Sequence, residues 1–308
     1  MANKSPFCVK EPNVCIVTDF EYLTRTILLL ESLLKYEPAA TVYILAFDEQ
    51  SFRTLTAANR SSWRVFRLNE IETPELTAAR KGRNWIEWVW LFQPAFPLYL
   101  MEKAGTDHIF WMDGDMWAFG SLTEMFAEIG EADVAVSPHR FPPHRSGSAD
   151  TVSIFNGGAT YFRNTERGRA CCRQWLADCI EWDYWWSASK PGPKPGQKGG
   201  TQGYLDFWPE QWGARIVEHL GCNLAPWNQD HPDYEYSLAD DGKITICGQP
   251  LLFYHFQDFK PQRGFIAGPE IIPFVVENIY MPYAYEYALK QRLWQPQKEA
   301  KDVSRLAA

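Results

Sequence analysis

Asn13-Val-Cys-Ile-Val-Thr-Asp19, then Tyr22-Leu-Thr-Arg-Thr-Ile-Leu-Leu-Leu-Glu-Ser-Leu-Leu-Lys-Tyr36, then Thr41-Val-Tyr-Ile-Leu-Ala-Phe47-Asp48: this opening stretch decides the fold class. The outer pieces are continuous apolar runs rich in β-branched residues, each ending in an aspartate that suits a loop or a helix cap. The middle piece places Leu23, Ile27, Leu30 and Leu34 at helical spacing. Strand, helix and strand within about 30 residues form a βαβ unit, which implies a parallel sheet. Further strands are expected at 63–68, 107–112, 132–137 and within 153–163. A Trp-rich helix is expected at 85–92, with a break marked by Pro94 and Pro97, and another helix over 166–182. The reading is an α/β chain: a mostly parallel central sheet flanked by helices, an irregular aromatic-rich second half, and a polar helical tail.

Composition narrows the function classes. The 308 residues carry 30 Lys and Arg against 38 Asp and Glu, a net charge of −8. An acidic surface argues against nucleic acid as a partner, because backbone binding needs a basic face. The first ten residues hold no apolar run of signal-peptide length, so a cytoplasmic location is expected. The most apolar segment, Trp85–Met101, is shorter than the roughly 20 residues of a membrane span and contains Glu87 and two prolines. Peripheral attachment to a membrane stays open. The seven cysteines form no metal or redox spacing and are expected to be reduced and mostly buried. Aromatic residues make 15% of the chain. Most are expected in the core, but Trp182, Tyr184, Trp185 and Trp186, just before the Gly/Pro-rich stretch 190–200, are candidates for stacking on an acceptor sugar. That stretch itself reads as a surface loop or a lid.

The sharpest chemical feature is Ile109-Phe-Trp-Met-Asp113-Gly114-Asp115. An apolar strand delivers two carboxylates at i and i+2, expected to point the same way on an extended backbone. Strand carboxyl ends are where ligands bind in open parallel sheets. Two convergent carboxylates there suit Mg²⁺ or Mn²⁺, which commonly meets substrate phosphates. His255, closing the apolar run Leu251–Phe256, is a candidate third ligand. Phe155-Asn156-Gly157-Gly158 offers an amide beside backbone that a ligand can approach closely. Thr201-Gln202-Gly-Tyr-Leu-Asp206 and Asn223-Leu-Ala-Pro-Trp-Asn228 follow.

In this order, with Val17–Tyr22, Arg83–Trp88 and Pro138–Phe141, these features resemble GT-A nucleotide-sugar glycosyltransferases, close to family 8 and bacterial surface-polysaccharide relatives. The resemblance runs from about residue 13 to about 260. It implies a Rossmann-like catalytic domain over 1–308: a nucleotide-binding half at 13–120, a donor-sugar and acceptor half at 121–265, and a tail at 266–308. It implies that Thr18, Asp19 and Tyr22 hold the nucleotide, with Tyr22 stacking on the base, and that Arg83 meets donor phosphate or sugar. Asp113, Asp115 and His255 would bind Mn²⁺ or Mg²⁺. Asn156 and Gly157 would meet the donor sugar, Gln202 would sit near the anomeric carbon, and Lys260 would neutralise the leaving diphosphate. The implied donor is a nucleoside diphosphate sugar, a UDP-sugar by resemblance, and the acceptor a saccharide or lipid-linked saccharide. The implied reaction retains anomeric configuration, with Gln202 either a nucleophile or a polar support.

Two departures stand out. The family commonly has Asp-Gln where this chain has Thr201-Gln202, and the familiar His-x-x-Gly-x-x-Lys-Pro-Trp ending survives only as His255-Phe-Gln-Asp258-Phe-Lys260-Pro261. Two other classes compete. A haloacid-dehalogenase-type phosphatase also ends a strand in DxD, but its motif usually lies near the chain start. A non-catalytic carbohydrate-binding protein would account for the aromatics alone.

Overall fold

The structure is a computed structural model, and it describes residues 9, 11–182, 199–261 and 272–294. Twelve strands are present among them: β1 Asn13–Thr18, β2 Thr41–Ala46, β3 Trp63–Arg67, β4 His108–Met112, β5 Met116–Ala118, β6 Val134–Pro138, β7 Phe155–Arg163, β8 Arg215–Ile216, β9 Tyr236–Leu238, β10 Ile244–Ile246, β11 Gln249–Pro250 and β12 Phe253–His255. Seven form the central sheet, in the order β3-β2-β1-β4-β7-β6-β8. The βαβ expectation holds: β1 pairs in parallel with both β2 and β4. All strands share one direction except β7, which is antiparallel to β4 and β6.

That one reversed strand positions the site. In a parallel sheet the carboxyl ends of β1, β4 and β6 lie on one edge, so Asp19, Asp113 and His139 emerge together. Because β7 runs backward, its beginning lies on the same edge, and Met112 pairs with Ala159. Phe155-Asn156-Gly157-Gly158 is therefore laid beside Asp113.

Helix α1, Leu23–Tyr36, covers one face of the sheet and buries Leu23, Ile27, Leu30 and Leu33. Leu34, placed in the stripe by sequence spacing, is only partly buried. The other face is covered by Phe92–Tyr99 and Glu166–Glu181, with Trp88, Phe92, Phe96 and Trp175 in the core. The helical break lies at Leu91, between Trp85–Trp90 and Phe92–Tyr99, and not at the prolines. Pro94 sits in the first helical turn, where backbone N–H groups lack helical partners anyway.

Outside the sheet, β5 and β12 form an antiparallel ribbon with Met116 opposite His255. The helix Met281–Trp294 closes the described residues. It buries Tyr283 and Tyr287 in a third core cluster with Tyr254, Phe256 and Phe259. Phe256 and Tyr283 stack at 3.7 Å with 9° between their planes. Cys15, Cys171, Cys172, Cys179 and Cys222 are buried free thiols, and Cys247 is exposed. No helix of the described residues is long and apolar enough to cross a membrane.

Candidate active site

A cavity of about 720 Å³ opens at the carboxyl edge of the sheet. Asp113, Asp115 and His255 stand in its wall, each offering one ligand atom, all within 4.8 Å of one another. A tight turn, with the Met116 N–H donating to the Asp113 carbonyl at 3.2 Å, brings the two carboxylates together. The extended alternation expected from sequence is not the cause. Gly114 is required by crowding, since a Cβ there would lie 2.9 Å from Thr26 Oγ1. His255 arrives through the β5–β12 register, and the Phe256 N–H donates to the Asp115 carbonyl at 2.8 Å.

The electrostatics fit a cation site. His255 Nε2 lies 3.1 Å from Asp115 Oδ1 and 3.9 Å from Asp113 Oδ2. Burial works against the imidazolium, but attraction and hydrogen bonding to Asp115, then attraction to Asp113, outweigh it and raise its pKa. Burial likewise opposes charge on Asp115, yet His255, the Tyr22 hydroxyl and Arg25 together hold its pKa below the usual value. Asp113 is shifted upward, chiefly by burial. Two oxygens and one imidazole nitrogen could hold a divalent metal ion.

The other sequence-derived candidates divide. Thr18, Asp19, Tyr22, Asn156 and Gln202 all line the cavity. Asp19 accepts from the Tyr22 N–H at 2.8 Å and from Trp85 Nε1 at 3.1 Å. Tyr22 is tied to the metal group, because its hydroxyl donates to Asp115 Oδ2 at 2.7 Å. Asn156 Oδ1 accepts from the Gly158 N–H at 3.0 Å and from Asn223 Nδ2 at 3.1 Å. Gln202 turns its amide oxygen onto the Gly157 N–H at 3.1 Å, so Gly157 lies behind Gln202 and outside the cavity wall. Gly158 cannot carry a side chain: a Cβ would lie 2.5 Å from Asp113 Oδ2.

Two candidates are placed elsewhere. Arg83 is outside the cavity wall, and its guanidinium donates to the carbonyls of Ala79, Cys179 and Ile180. It fastens the helix Pro74–Ala79 to the end of Glu166–Glu181. Lys260 pairs with Asp258 at 3.2 Å; Asp258 lines the cavity and Lys260 does not. Trp182 is buried at 5% exposure, which removes it as a stacking platform. Tyr184, Trp185, Trp186 and the loop residues 190–198 lie outside the described residues.

Sequence reasoning missed several wall residues. Gln93 is buried beside Asp113, and its signal is one amide inside the apolar run Val89–Leu98. Arg145 reaches the wall while its guanidinium bonds the buried Asp230 at 2.9 Å. His139 is a buried neutral imidazole: Nδ1 meets the Ser153 carbonyl at 3.0 Å, and burial foremost pushes its pKa down to about 3. Trp85, 43% exposed, stands at the mouth.

This architecture is shared with known glycosyltransferase structures. The glycosyltransferase GlyE of Streptococcus pneumoniae TIGR4 matches over 94% of this chain at 18% identity, with a TM-score of 0.54. This chain spans 64% of the length of GlyE. LgtC, a galactosyltransferase crystallised with donor and acceptor sugar analogues, matches over 81% of this chain and 88% of its own, at 15% identity and a TM-score of 0.52. The fold is therefore the GT-A glycosyltransferase fold, resembling that of family 8. No profile of a known protein family matches the chain. It belongs to the same family as the uncharacterised protein YfnD of Bacillus subtilis (strain 168), which is 30% identical over 221 residues, 71% of this chain and 68% of YfnD.

Proposed function

We propose that this chain is a metal-dependent glycosyltransferase that moves a sugar from a nucleoside diphosphate sugar to an acceptor hydroxyl. The observation that carries this reading is the convergence of Asp113, Asp115 and His255 in the wall of a cavity large enough for a sugar nucleotide. The GT-A fold puts the reading ahead of the phosphatase and the binding module. The three side chains would hold Mn²⁺ or Mg²⁺, and the bound ion would supply charge stabilisation to a departing diphosphate.

The chain's own residues perform the rest. Thr18 and Asp19, with Trp85 at the mouth, accommodate the nucleoside end. Tyr22 keeps Asp115 oriented through its hydroxyl and offers its ring to the nucleotide. Arg145, anchored on Asp230, adds a fixed positive charge to the wall. Asn156 lies beside the donor sugar. Gln202 acts as a polar support, because its amide oxygen is already committed to the Gly157 N–H and to Asn156 Nδ2. An amide whose oxygen is engaged this way is a poor nucleophile, which favours a front-side, retaining transfer over a covalent intermediate. A UDP-sugar is the donor we favour, and a saccharide or lipid-linked saccharide of a surface polysaccharide the acceptor.

A panel of nucleotide sugars, each with Mn²⁺, Mg²⁺ or EDTA, tests the reading by melting temperature and by donor hydrolysis. Metal-dependent stabilisation and turnover of one donor is the expected result. No response to any nucleotide sugar overturns it.

A further inference from the structure

Gln93 and Thr201 make a buried polar chain that ends on a carboxylate of the proposed metal site. Gln93 is 7% exposed and Thr201 4%. The Thr201 hydroxyl donates to Gln93 Oε1, and Gln93 Nε2 donates to Asp113 Oδ1 at 3.4 Å. The amide's orientation follows from its partners, since an ionised carboxylate only accepts and its neighbour must be the nitrogen. Trp111 Nε1 donates to the same oxygen at 2.9 Å. Both donors therefore fall on Oδ1, while Oδ2 is the oxygen nearer His255. The Asp113 N–H donates to the Gly158 carbonyl at 2.9 Å, so the backbone of the carboxylate is fixed as well.

We infer that Gln93 is a positioning residue for the metal site: with Trp111 it fixes Asp113 so that Oδ2 faces the ion, and through Thr201 it ties that orientation to the turn that carries Gln202. The inference rests on the metal-dependent reading above. Its physical basis is that outer-sphere hydrogen bonds decide how a ligand is presented, and losing one commonly costs 10–100-fold in metal affinity. Thr201 stands where family 8 commonly has an acid. In this chain that position acts through Gln93 on Asp113.

The test is direct Mn²⁺ binding to the full chain, by calorimetry and by the electron paramagnetic resonance signal of the free ion, with no sugar nucleotide present. Gln93→Met keeps length and apolar packing but loses both polar ends. It should weaken Mn²⁺ by about 10-fold or more, while the melting temperature in EDTA stays within about 4 °C of the parent. Thr201→Val should weaken it less, and Thr201→Ser, which keeps the hydroxyl, should match the parent. If Gln93→Met loses its fold, the Val and Ser pair decides in the same way. Equal Mn²⁺ affinity in the parent and the folded variants overturns the role of Gln93 and Thr201 while leaving the metal reading intact. A parent chain that binds neither Mn²⁺ nor Mg²⁺ overturns both.

Discussion

Asp115 is held from three sides in the candidate site. Its Oδ1 meets His255 and its Oδ2 accepts from Tyr22, while its backbone carbonyl accepts from Phe256. Replacing it by Ala removes a ligand and takes a partner from the buried His255 and from the Tyr22 hydroxyl. For Asp115→Ala, metal-dependent donor turnover should fall by about 10³-fold or more, on the order of 4 kcal/mol. Initial rates with Mn²⁺ measure this, and turnover equal to the parent's would remove Asp115 from the mechanism. His139 allows a second test at the same scale. Its pKa falls from 6.5 to about 3 on folding, so the unfolded chain binds the proton more readily. Its contribution is complete above pH 6.5 and is lost as pH falls towards 3, with a slope of at most about 1.4 kcal/mol per pH unit. Urea unfolding of the parent and of His139→Gln between pH 7 and 5 should show a shallower fall for the variant; parallel curves would show that His139 does not titrate on unfolding.

Among the elements, those with strong local signals were legible and those defined by pairing were not. β1, α1, β2 and β4 are long, apolar and punctuated by aspartates, so periodicity alone located them. β7 was legible as a strand, but its reversed direction was not, because direction is fixed by which neighbour a strand meets. The ribbon of β5 and β12 is three residues a side, too short for periodicity, and yet it brings His255 to the carboxylates. Arg83 carries a contact that spacing does not show: its guanidinium fastens two helices through the carbonyls of Ala79, Cys179 and Ile180. The helix Met281–Trp294, expected as a polar tail, is anchored through Tyr283 and Tyr287 in the third core cluster. Tyr283 stacks on Phe256, and Arg25, lying over the Tyr22 ring, donates to the Phe259 carbonyl at 2.8 Å. Tyr283→Ala should destabilise by about 3–5 kcal/mol. Tyr283→Phe should leave stability equal or higher, since the buried hydroxyl has no partner among the described residues. Chemical unfolding separates the two, and a large loss for Phe would refute the packing account.

At the scale of the whole molecule, one edge of one sheet collects residues from widely separated parts of the chain. Asp19, Asp113, His139 and Asn156 come from the ends of neighbouring strands, and Gln202 and His255 from segments packed beyond them. Fold class and the DxD position were readable because an open α/β sheet offers its ligands a single edge. The supporting shell of Gln93, Trp111, Arg145 and His139 was not, since those residues matter only through contacts that the topology creates.

The β5–β12 ribbon has a consequence for how the chain opens. An ion shared by Asp113, Asp115 and His255 would close the intervening chain into a loop, joining its ends beside the three residue pairs of the short ribbon. Local opening of the ribbon would then require releasing the ion first. Amide hydrogens of Met116–Ala118 and Phe253–His255 should exchange more slowly in Mn²⁺ than in EDTA, with strands β2 and β3 little changed; uniform or absent protection would show that the ion does not bridge the ribbon.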